Sequence, residues 1–142
     1  MRQCQKNVVS VRRIQGLDCV YCGDPAEVRD HVIPYTYNYT AKRTHHAHQY
    51  KAKECVPSCR ECNYVLNKHF IPTIAGRAAY LADKLVRRYR KRLNRPDAYL
   101  IWHRIGHCTA RAQDKKLTPE TYWRSVDDRR TPPDSLGRGP TV

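Results

Sequence analysis

Two Cys-x-x-Cys knuckles, Cys19-Val20-Tyr21-Cys22 and Cys59-Arg60-Glu61-Cys62, constrain this chain more than any other feature. Each offers two thiolates to one ion, so together they predict a single tetrahedral zinc site that pins two distant segments together. Four thiolates close the coordination shell and leave no position for water, so this zinc is structural. The chain has 7 cysteines, an odd number, and the knuckle spacing points to metal-bound thiolates in a reducing compartment rather than to disulfides. Of the others, Cys4 has no evident role, while Cys55 and Cys108 fall at apolar positions of a strand and a helix.

With 142 residues the chain is long enough for one domain with a modest core, which a metal would help to hold. Its formal charge of +14 says more about partners than about fold. A polyanion is expected, nucleic acid ahead of an acidic membrane surface. There is no apolar run of about eighteen residues, so no membrane span is expected. Met1 to Ile14 is polar and lacks the apolar core of a signal peptide, which makes the cytoplasm of a bacterium or an infected host the expected location.

Residues 1–18 read as a basic arm. The segment 19–72 holds both knuckles and two short strands, one within Ala26 to Ile33 and one at Cys55-Val56-Pro57, with a helix beginning at the second knuckle. Between the strands, 35–53 reads as a long loop rich in Tyr, His and bases. Its Lys42, Arg43, Lys51 and Lys53 are candidate phosphate contacts, and Tyr39 and Tyr50 are candidates for stacking. His45, His46 and His48 fit a basic loop better than a second metal site. The segment 73–127 reads as a helical extension. Its first helix is capped by Thr73, with Ile74, Ala78, Leu81, Ala82, Leu85, Tyr89 and Leu93 as an apolar stripe continuing to about Asn94. A second helix is expected from Asp97 to about Ala112, and a third after Thr118-Pro119-Glu120. Residues 128–142 read as a disordered tail. On the first of these helices Arg77, Lys84, Arg88, Lys91 and Arg95 form an expected basic stripe suited to phosphate binding.

The ordered set of Cys19-Val20-Tyr21-Cys22-Gly23, Asp30-His31-Val32-Ile33-Pro34 and Val56-Pro57-Ser58-Cys59-Arg60-Glu61-Cys62-Asn63 resembles the zinc-stapled HNH endonucleases. The resemblance spans residues 19 to 69. It implies an α+β chain with a small ββα-metal core and a structural Cys4 zinc site, followed here by C-terminal helices. It also implies a metal-dependent endonuclease that hydrolyses phosphodiester bonds of double-stranded DNA. In that family's terms His31 is the general base that activates water. Asp30 and Asn63 hold one catalytic divalent cation, Mg²⁺ or Mn²⁺ or similar, through oxygen ligands. Asn67, four residues beyond Asn63 on the same helical face, is a further candidate ligand or phosphate contact, and Lys68 a candidate phosphate contact. Compact proteins of this kind resemble phage genes, some acting beside DNA-packaging terminases.

Two departures stand out. Glu54 occupies the place of the family's middle Asn, with Asn38 a conceivable substitute, and 35–53 lacks the usual glycines. The alternative reading is therefore a catalytically weak or inactive zinc-stapled DNA-binding module. A geometric condition also follows from the motif itself. Neighbouring residues on a strand point to opposite faces, so Asp30 and His31 can face one phosphate only where the strand bends.

Overall fold

The structure, a computed structural model, describes residues 13–32, 55–67 and 69–130. Ile33, Pro34, the loop 35–53, Glu54, Lys68, the first twelve residues and the tail from Thr131 lie outside the described residues, and with them Lys42, Arg43, Lys51 and Lys53.

Strands β1 (Val28–His31) and β2 (Cys55–Ser58) pair antiparallel, with Asp30 opposite Val56 and His31 opposite Cys55. Helix α1 (Arg60–Leu66) follows directly, so the order is strand, strand, helix around a Cys4 cluster, the layout of ββα-metal domains. Cys59 is the N-cap of α1, and its sulfur accepts the backbone N–H of Cys62 at 3.4 Å. One residue thus starts the helix and offers a metal ligand, as an Asp or Ser cap would start it with oxygen.

Helix α2 (Ile74–Arg88) begins where expected, with Thr73 Oγ1 accepting the Gly76 N–H at 3.0 Å. It stops earlier than expected. The chain passes through Tyr89 into a 3-10 turn at Arg90–Arg92 instead of running on to Asn94. Six bases crowd the positions from Arg87 to Arg95, and their mutual repulsion opposes one straight helix there. A second 3-10 turn, Pro96–Ala98, leads into α3 (Tyr99–Gln113). Helix α4 (Pro119–Arg130) is capped by Thr118, whose hydroxyl accepts the Thr121 N–H at 3.1 Å.

One core joins these parts. Ile74, Ala78, Leu81 and Leu85 of α2, Ile101, Ile105 and Cys108 of α3, and Tyr122, Trp123 and Val126 of α4 are buried with Val20, Tyr21, Val56, Leu66 and the four knuckle cysteines. Trp123 donates its indole N–H to the Cys55 carbonyl at 2.6 Å, which ties α4 to β2. Among the described residues no helix is long and apolar enough to cross a membrane.

Candidate metal centre and adjoining cleft

The sulfurs of Cys19, Cys22, Cys59 and Cys62 all lie within 4.8 Å of one another, and all four residues are buried. A tetrahedron with metal–sulfur bonds of about 2.3 Å has edges of about 3.8 Å, and Cys22 Sγ and Cys59 Sγ are 3.6 Å apart. The residues therefore fit zinc. In each knuckle the second cysteine's N–H points at the first one's sulfur, at 3.5 Å for Cys22 to Cys19 and 3.4 Å for Cys62 to Cys59. Gly23 closes the first knuckle with φ +86°, and a Cβ there would meet the His107 ring at 2.8 Å. Hydrogen bonds from Cys22, Cys59 and Cys62 hold the Cys19 thiol well below its ordinary value, while Cys19, Cys22 and Cys59 push Cys62 well above it. Four thiols this close cannot all ionise unless a cation sits among them.

Helix α3 belongs to this centre, which the sequence reading did not anticipate. Arg104, His107 and Arg111 lie on one face at three- and four-residue steps. Arg104 Nη2 is 3.9 Å from Cys59 Sγ, and its guanidinium also pairs with Glu61 at 2.8 Å and Asp24 at 3.2 Å. His107 Nδ1 contacts the Tyr21 carbonyl at 2.9 Å, and Arg111 Nε donates to the Val20 carbonyl at 2.8 Å. The first knuckle is thus clamped by a helix more than eighty positions away, and the signal that could have found it was Arg104 standing inside the apolar stripe of Ile101, Ile105 and Cys108.

Of the residues proposed for chemistry, Asn63 and Asn67 line a cleft that Asp30 and His31 do not. Strand β1 pairs with β2 in unbroken register through Asp30 and His31, which places the two side chains on opposite faces of the strand, and the chain bends only at Val32, one residue further on. Asp30 points into the core and is buried. Its Oδ1 accepts from Arg77 Nη2 at 2.9 Å, and its Oδ2 from Arg77 Nε at 3.1 Å and from the Tyr21 hydroxyl. Burial raises the Asp30 carboxyl above its ordinary value, and Arg77 and Tyr21 offset part of that. The carboxylate is engaged by the protein and is not presented to a cation.

Arg77 requires a matching correction. Expected on an exposed basic stripe, it is 1% exposed. Its guanidinium is spent on Asp30, the Tyr21 hydroxyl, and the carbonyls of Val32 and Ile71 at 2.9 and 3.0 Å. It therefore cannot contact DNA. Of the same stripe Lys84 is half-buried, while Arg88, Lys91 and Arg95 are exposed.

His31 lies on the opposite face of β1 from Asp30. Burial, with help from Arg77 and Arg29, lowers its imidazole to about 4, so it is neutral at pH 7. Asn63 and Asn67 do come together. They line one open cleft of about 340 Å³ with Val28, Arg60 and Tyr64. Neither Asp30 nor His31 lines it, and it contains no carboxylate among the described residues. Asn67 caps α1 with φ 42°, the only positive φ at a non-glycine among the described residues. A hard cation therefore does not find its usual oxygen set there.

No family model matches the chain, and neither the curated proteins nor the solved structures include a significant match.

Proposed function

We propose that the chain is a zinc-stapled DNA-binding module on the ββα-metal plan, with weak or no hydrolytic activity in the described arrangement. The engagement of Asp30 by Arg77 and Tyr21 carries this reading, since the carboxylate expected to hold a catalytic ion is already satisfied. Support for a polyanionic partner comes from the formal charge of +14 and from the exposed bases Arg87, Arg88, Arg90, Lys91, Arg92 and Arg95 at the α2–α3 corner.

One observation favours a second reading, the metal-dependent HNH endonuclease. A His31 held neutral is in the proton-accepting form that a general base needs. That reading requires Asp30 to leave Arg77 and join Asn63 at a Mg²⁺ or Mn²⁺ ion. A role beside a packaging terminase rests on the sequence resemblance alone.

Plasmid cleavage in Mg²⁺ and in Mn²⁺, measured beside DNA binding for the zinc-loaded wild type and His31→Ala, tests the choice. The module reading expects salt-sensitive binding by both proteins and no cleavage above the His31→Ala background. Metal-dependent cleavage that disappears in His31→Ala would overturn it in favour of the endonuclease.

A further inference from the structure

The cleft beside α1 has a chemistry of its own. Its volume of about 340 Å³ falls within the range of about 300–1,000 Å³ usual for small-ligand sites. Tyr64, in its wall, is 70% exposed, the highest value among the large apolar side chains of the described residues left outside the core. The ring is steadied from α2, where the Arg88 guanidinium lies 5.9 Å from its centroid and is itself anchored by Glu61 at 2.7 Å. Arg60 adds a cation whose side chain is 75% exposed and whose pairing with Glu27 is loose, at 3.7 Å. Asn63 and Asn67 contribute two amides, each both donor and acceptor, the functionality that matches the edge of a nucleobase.

A flat aromatic surface, a flanking cation and two amides suit a nucleotide better than a metal ion. We propose that this cleft binds one unpaired nucleobase of a single-stranded polynucleotide. The base stacks on Tyr64, Asn63 and Asn67 meet its edge, and Arg60 takes an adjoining phosphate. Bases within a duplex are stacked on each other and offer no face to Tyr64, so the cleft selects single strands or unpaired ends. This deepens the nucleic-acid-binding reading above and depends on it.

The test uses the zinc-loaded full chain with a fluorescent thymidine oligonucleotide and a duplex of equal length, read by anisotropy. Tyr64→Ala should weaken single-strand binding about tenfold, within the range of about 5- to 150-fold that loss of one stacked base produces. Tyr64→Phe, which keeps the ring, should stay within about twofold of wild type, and duplex affinity should be unchanged in both. Because Tyr64 is exposed, zinc content and circular dichroism should match wild type. Unchanged single-strand affinity in Tyr64→Ala, or an equal loss on the duplex, overturns the nucleobase site and leaves general nucleic-acid binding standing. Wild type that binds neither probe overturns the DNA-binding reading itself.

Discussion

Replacing Arg77 with Met should be among the most damaging single changes outside the zinc ligands. Among the described residues the substitution leaves buried Asp30 with only the Tyr21 hydroxyl, and strips the carbonyls of Val32 and Ile71 of their shared donor. Breaking a buried ion pair by removing one partner costs about 3–5 kcal/mol. A domain of this size has about 5–15 kcal/mol in all. Taking a loss of about 4 kcal/mol and a urea dependence of about 2 kcal/mol per molar, the unfolding midpoint should fall by about 2 M. Zinc must be held at the same excess for every variant, because an ion that binds only the folded state raises its apparent stability. The double variant Asp30→Leu/Arg77→Met should recover much of the loss, since no unpaired charge then remains buried. A midpoint for Arg77→Met within about 0.5 M of wild type would refute the assignment of Arg77 to the core.

The zinc site predicts one tightly held zinc per chain, and Cys59→Ser, which removes a zinc ligand while keeping a helix cap, should give insoluble or unfolded protein; folded, zinc-free material would contradict this. Arg104→Met should release zinc to a chromophoric chelator at least about tenfold faster, because the cation beside Cys59 is gone while Glu61 and Asp24 remain; an unchanged release rate would count against that role. His31 should titrate near pH 4 by NMR. With its folded value below the unfolded value of about 6.5, its contribution to stability is complete above pH 6.5 and is lost as the pH falls toward 4, so a midpoint above 6 would place the imidazole in solvent. Changing Lys84, Arg88 and Lys91 together to Gln should reduce the log–log salt slope of duplex binding by about 0.9 for each phosphate no longer neutralised; an unchanged slope would put the DNA elsewhere.

The zinc site, both strands and the starts of α1, α2 and α4 were legible because each depends on residues close in sequence. Two knuckles name their own ligands, Thr73 and Thr118 name their helices, and Val28, Val32 and Ile33 mark a mixed but strand-like stretch able to pack inward. The Asp30-His31 pair was legible as a motif but not as geometry. Residue identity does not say which face of the strand turns inward, and that depended on whether the chain bends at His31. The end of α2 was misread because the apolar stripe continues through Tyr89 and Leu93, while the clustered bases between them turn the backbone into a 3-10 segment. Asn63 and Asn67 share a cleft, as helical spacing requires, but the partner expected with them, Asp30, lies elsewhere.

Both arginines that the sequence reading placed outside the core, or overlooked, carried the same warning. Arg77 stands three residues after Ile74 and four before Leu81, and Arg104 three after Ile101 and four before Cys108, each within the apolar stripe of its helix. An arginine at such a position is either a misfit or the partner of a buried negative charge, because burying an unpaired guanidinium is prohibitive. Here each has its partner. Arg77 answers the Asp30 carboxylate, and Arg104 answers Glu61 and a Cys4 site whose four thiolates outweigh a divalent ion by two charges. The two pairs lock α2 to β1 and α3 to the knuckles, so the helices after residue 73 share the core and the electrostatics of the zinc-bearing segment. Two of the positive charges in these helices, Arg77 and Arg104, are therefore structural. Among the described residues, the bases at the α2–α3 corner, and Arg60 and Arg88 beside the Tyr64 cleft, remain exposed for a polyanion.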